Sequence, residues 1–110
     1  MTTQKPFELM RWAQADPPTE AFLNRMMLRE GLNAEKVEWP AQARSPEMKF
    51  ETSQLLVVIS GKIQCAFPGY GVIELNPGDN VEIQAGTLYD ISVVGAKPAA
   101  LLQAAQQPVL

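Results

Sequence analysis

This 110-residue chain has few residues able to do chemistry, and the missing type decides most of what they can do: it has no histidine. Tyr89 can donate a hydrogen bond to a carbonyl, or act as an acid if a neighbour helps. It can equally fill a core with its hydroxyl on a partner such as Gln54. Gln54 opens the apolar run Leu55–Ile59 and offers an amide either to a ligand or to the protein itself. Cys65 is the sole cysteine, and no cation adjoins it in sequence to favour the thiolate. It reads as a small buried hydrophobe rather than a nucleophile. Glu47, Lys49 and Glu51 alternate with apolar residues, the pattern of a solvated strand face. A general base would have to come from Glu47, Glu51, Glu82 or Asp90, all on expected outer faces. Arg44, on a loop, is a single cation and a weak anion site.

Composition narrows the setting. With 46% hydrophobic and 19% charged residues the chain is an ordinary globular domain, long enough for one core. A net charge of -3 without a basic cluster, and with few aromatics to stack on bases, argues against nucleic acid. Leu55–Ile59, the longest apolar run, is too short to cross a bilayer, so no membrane association is expected. A lone cysteine cannot form an internal disulfide, and Met1–Phe7 lacks the pattern of a secretory signal. Both point to the cytoplasm.

Those side chains must be positioned by a run of short strands. Met1–Ala15 carries Phe7, Leu9, Met10 and Trp12 in no clean period, and fits a short strand or an arm laid on another subunit. Asp16 followed by Pro17 and Pro18 predicts a helix cap, and Phe22, Leu23, Met26 and Met27 form one apolar stripe. Gly31 with Leu32 supplies the stop, giving a helix over about 17–30. Leu28 points off the stripe toward a second surface. Strands follow over Lys36–Trp39, around Met48 and Phe50, over Leu55–Ile59, Lys62–Phe67, Val72–Leu75, Val81–Ile83, Tyr89–Val94 and Ala99–Gln103. Pro68-Gly69 and Asn76-Pro77-Gly78-Asp79 are turns between them. The organisation expected is an N-terminal arm and helix over 1–33 packed on the barrel or a dimer interface, a β-barrel over 34–104, and a loose tail over 105–110.

The stretch Leu55–Val94 resembles the cupin superfamily. Leu55–Gly61 is similar to the end of that family's first motif, a strand closed by glycine. Pro77-Gly78-Asp79, Gly86 and Tyr89 keep the spacing of its second motif. The resemblance implies a mainly β fold, a double-stranded β-helix or jelly-roll barrel, with one N-terminal α-helix. It also implies where a metal would be held, and those positions carry the wrong residues. The two histidine positions of the first motif fall on Met48 and Phe50, or on Glu47 and Lys49 with a spacing one residue longer. The glutamate position falls on Gln54, the third histidine on Tyr89, and the closing asparagine on Val93. Transition metals need imidazole, carboxylate or thiolate donors aimed at one point. The expectation is therefore no metal, no cofactor and no assigned catalytic residue.

The function implied is a metal-free, homodimeric binding or structural/regulatory module of unknown specific activity. A small-molecule ligand would lie in the barrel against Tyr89, Gln54, Met48, Phe50 and Cys65. The methionines and the Trp12 segment suggest a subunit interface as well as core packing. The alternative is a metal-independent isomerase or lyase acting on a small carbonyl or sugar-type substrate, with Tyr89 as its acid.

Overall fold

The computed structural model describes residues 5–106. In chain order its elements are β1 (Phe7–Met10), α1 (Glu20–Arg29), β2 (Glu35–Trp39), β3 (Arg44–Met48), β4 (Ser53–Ser60), β5 (Ile63–Phe67), β6 (Gly71–Leu75), β7 (Asn80–Ile83), β8 (Tyr89–Val93) and β9 (Ala99–Gln106). The strands form two antiparallel sheets, one ordered β1-β7-β4-β9-β2 and the other β3-β8-β5-β6. The mainly β jelly-roll architecture with one helix is the one the sequence predicts.

Side-chain alternation fills the space between the sheets. Leu56 and Val58 of β4, Ile63, Cys65 and Phe67 of β5, Val81 and Ile83 of β7, and Tyr89, Ile91 and Val93 of β8 share one buried cluster. The other face of β4 is covered too. Val57, with Leu55 and Ile59 beside it, packs with Leu102 and Ala104 against Leu23 and Met27 of α1. That second cover explains why Leu55–Ile59 is apolar at every position. Gly61, in the turn after β4, has φ +79°, and a Cβ there would lie 2.5 Å from the Pro98 carbonyl oxygen. Only glycine lets the β4–β5 turn approach the start of β9 so closely.

Four sequence expectations are corrected. The N-cap of α1 is Thr19 rather than Asp16, its side chain accepting from the Phe22 amide at 3.2 Å. Pro17 and Pro18 precede the helix instead of opening it. The C-terminal end is as expected: Leu32 N–H reaches the Met27 carbonyl at 2.9 Å and Gly31 N–H reaches Leu28 at 3.0 Å. The segment before Met48 is strand β3 rather than loop. Pro46 is tolerated because β3 is a sheet edge, with a register shift between Ser45 and Met48. Phe50 lies past the end of that strand. Ala105 and Gln106, expected in a loose tail, belong to β9, since Gln54 pairs with Ala105 and Ser53 with Gln106; the rest of that expected tail, 107–110, lies outside the described residues.

The N-terminal arm lies on its own barrel: β1 pairs with β7, Phe7 opposite Ile83 and Met10 opposite Asn80. One carboxylate fastens the two residues just after β1. Asp79 closes its turn through N–H to the Asn76 carbonyl at 2.9 Å, and its own side chain accepts from Asn76 N–H at 2.9 Å and Trp12 N–H at 2.8 Å. Arg11 Nη1 sits 2.9 Å from Asp79 Oδ2 and also donates to the Glu74 carbonyl. Trp12 then lies on Gly78, whose φ is +91°; a Cβ there would come 2.5 Å from the indole. Burial alone would raise the Asp79 pKa. The Trp12 and Asn76 amides and the Arg11 guanidinium outweigh it and hold the carboxyl below its ordinary value.

A depressed carboxyl pKa stabilises the fold above the unfolded pKa, and that stabilisation fades as pH falls through the folded value. Asp79→Asn is therefore expected to lose about 2 kcal/mol at neutral pH. It should also flatten the acid limb of stability below the ordinary carboxylate range. Denaturant titrations across a pH series test both.

Candidate functional site

The interior positions that would face a ligand are set by β3 and β8. Met48 pairs with Tyr89, after a shift that leaves Glu47 at φ 55°. The Glu47 amide donates to Asp90 Oδ1 at 2.8 Å, which fixes the kink and keeps Glu47 outside. Lys49 is exposed, while Met48 and Phe50 are half-buried against the core. The register is thus the one in which the apolar pair turns inward. Phe50 is pinned beyond the strand by Gly86 N–H on its carbonyl at 2.8 Å. The Met48 sulfur accepts from Ser45 Oγ at 3.0 Å.

These residues meet a column of rings. Phe50 lies 6.5 Å from Tyr89, Tyr89 lies 5.7 Å from Phe67, and Phe67 stacks on Phe7 at 4.0 Å with an interplanar angle of 14°. Tyr89 is only 1% exposed and Cys65 is fully buried. Burial drives the Tyr89 phenol well above its ordinary pKa, and the neighbouring Cys65 adds to the rise. Burial pushes the Cys65 thiol up to about 12. At neutral pH both are uncharged, and Cys65 is a packing residue.

Gln54 is inside, at 5% exposure, but its partners differ from the one expected. Its Nε2 donates to Thr52 Oγ1 at 2.9 Å, and its Oε1 accepts from Gln103 Nε2 at 3.1 Å. The amide is thus engaged with Thr52 and Gln103 instead of the Tyr89 hydroxyl. Of the candidate bases, Glu47, Glu51 and Glu82 are exposed, and Asp90 is held by the Glu47 amide. Among the described residues none of these carboxylates is hydrogen-bonded to Tyr89. Sequence reasoning missed Phe7, Phe67 and Gln103. Phe7 sits in a segment without period, and its ring partner lies in the middle of the chain.

The fold implies a metal position, and its donors can be judged chemically. Met48, Phe50, Gln54 and Tyr89 offer a thioether, a phenyl ring, an amide already bonded on both sides and a neutral phenol. That set does not fit a transition metal. Among the described residues no three His, Cys, Asp or Glu side chains gather elsewhere into a metal-binding group. Nor does any helix among them have the length and apolarity to cross a membrane.

Two facing antiparallel sheets closed by the turns at Gly61 and Gly78 define the cupin fold. Solved structures share it. A cupin superfamily protein from Desulfitobacterium hafniense superposes with a TM-score of 0.61 at 16% identity, over 98% of this chain and 84% of that one. A DUF861 family protein from Thermotoga maritima gives 0.62 at 13% identity, over 91% and 99%. The Drosophila melanogaster CENP-C cupin domain gives 0.58 at 19% identity, over 66% of this chain and 57% of that one. No family model matches the sequence, and no curated protein matches it.

Two measurements probe the filled interior. The Cys65 thiol is expected to resist a disulfide reagent in the native protein and to react fully in denaturant. Tyr89→Ala should cost about 3–5 kcal/mol in equilibrium unfolding, as for other large aromatic truncations.

Proposed function

We infer that this cupin-fold chain works without a metal, as a homodimeric binding or structural module acting through its outer surface. The observation that carries this is the unbroken column Phe7–Phe67–Tyr89–Phe50, which occupies the place where a ligand would sit. A pocket for a drug-sized ligand needs roughly 300–1,000 Å³ of concave space with a few polar groups aimed into it. Here the inward polar groups are Gln54, already engaged, and a neutral Tyr89. The Drosophila melanogaster CENP-C protein, which is similar in fold, has been seen bound to CAL1. That precedent supports the class of function, since one fold hosts many activities.

The dimer contact is assigned to the solvent side of α1. Leu23 and Met27 of the apolar stripe are consumed by the chain's own sheet, and Trp12 is packed on Gly78, so neither can serve it. Leu28 is 61% exposed on the far side of the helix. A second copy covering it gives that side chain a partner.

Light scattering should return twice the chain mass for the wild type, and Leu28→Glu should shift it to the single-chain mass. Elemental analysis after equilibration with iron, manganese, nickel and zinc should find no stoichiometric metal. A bound metal lost in Tyr89→Phe would sink the inference.

A further inference from the structure

On the outer face of the five-stranded sheet, α1 covers β4 and β9 and stops short of β1 and β7. The gap is a groove of about 180 Å³. Met26 and Met27 of α1 and Met10 of β1 wall it, Leu55 and Val57 floor it, and Glu30 and Glu82 lie on its rim. Met10 is 60% and Met26 41% exposed, so among the described residues two of its apolar walls lack a cover. Its volume is below that of a drug-sized ligand pocket and suits a single large side chain.

The charge around it is one-sided. Among the described residues the groove is lined by two carboxylates and by no lysine or arginine. Glu8 stands directly opposite Glu82 in the β1–β7 register, and like charges so placed destabilise a sheet unless a cation relieves them. Among the described residues none of Glu8, Glu30 and Glu82 is in an ion pair; Lys5 lines the adjoining hollow with Glu8 and Glu82 without reaching ion-pair distance, and Glu30 has no such cation beside it in the groove. Helical spacing carries Arg25 and Arg29 round toward solvent from the Met26–Glu30 edge. The side-chain oxygen of Gln106, another lining residue, is buried with no donor among the described residues.

We propose that this groove docks a segment of another protein bearing one large apolar side chain flanked by lysine or arginine. The apolar side chain enters between Met10 and Met26, and the flanking cations meet Glu8, Glu30 and Glu82. A second copy of the chain fits less well, because a two-fold contact here sets the same carboxylates against one another. The assignment rests on the chain's being a surface-acting module, and it names that module's partner. The groove lies on the opposite flank of α1 from Leu28, so docking and dimerisation are separable.

The test is a panel of short fluorescent peptides, each carrying Leu, Met, Phe or Trp between Lys and Arg residues, titrated with the full chain. Controls replace the apolar residue by Ala or the basic residues by Glu. At least one basic peptide should bind saturably, and affinity should fall as salt rises. Glu82→Lys, and separately Met26→Gln, should weaken binding about tenfold or more, Glu82→Lys without lowering the unfolding midpoint because it relieves the repulsion with Glu8. Leu28→Glu should bind as wild type does. No binding across the panel at millimolar peptide overturns the proposal, as does binding indifferent to Glu82→Lys. A fall to single-chain mass in Met26→Gln would assign the groove to a second copy and overturn it as well. Dimer mass and metal content are read independently, so failure here leaves the broader function standing.

Discussion

The structure depends on closing two sheets over a space that, in this chain, holds rings. A jelly roll has inward positions on every strand, and something must occupy them at crystal-like density. Here the occupants are contributed by distant parts of the sequence: Phe7 from the first strand, Phe67 from the middle, Tyr89 near the end, and Phe50 from a segment past a strand. Separate backbone devices set three of the filling side chains. The β3 bulge aims Met48, the Gly86 amide holds Phe50, and β1 pairing places Phe7 over Phe67. The interior is therefore a long-range construction, and its uncharged phenol and thiol result from that packing.

The same logic explains why a short N-terminal arm matters. Phe7 is useful only if β1 stays on β7, and four residues of pairing are marginal alone. Asp79 secures it from below, binding the backbone of Trp12 and the guanidinium of Arg11 while shaping its own turn. Gly78 leaves room for the indole. Turn, arm and aromatic column form one chain of dependence, so the turn motif that marks the fold in sequence also fastens the barrel's filling.

Much of this was legible in the residues. Strands with period-two alternation, such as Ile63–Phe67, and turns with proline and glycine, such as Pro68-Gly69, signal themselves locally. The inward placement of Met48, Phe50 and Tyr89 followed from a register argument, because the alternative exposes two large apolar side chains. What escaped was non-local or competed with another local signal. Asp16 with two prolines looks like a helix start, yet Thr19 reaches the free amide of Phe22 and wins. Arg44–Met48 contains Pro46 and reads as loop, but an edge strand needs fewer of its donors. Gln54 lies inside, at the head of an apolar run, while its partner Gln103 sits 49 residues away with nothing local to announce it.

A filled barrel also changes what substitution could do to this protein. Returning histidines to Met48, Phe50 and Tyr89 would supply donors, but the space a metal and its water need is bounded by Phe67, which is itself stacked on Phe7. Burying imidazoles there without a full set of partners would cost several kcal/mol each. Two of the four rings, Phe50 and Tyr89, would be lost from the column with them. The interior is thus locked by cooperative packing rather than by any one residue. The outer surface carries no such constraint: Met10 and Met26 are exposed, and their side chains can change without touching the column.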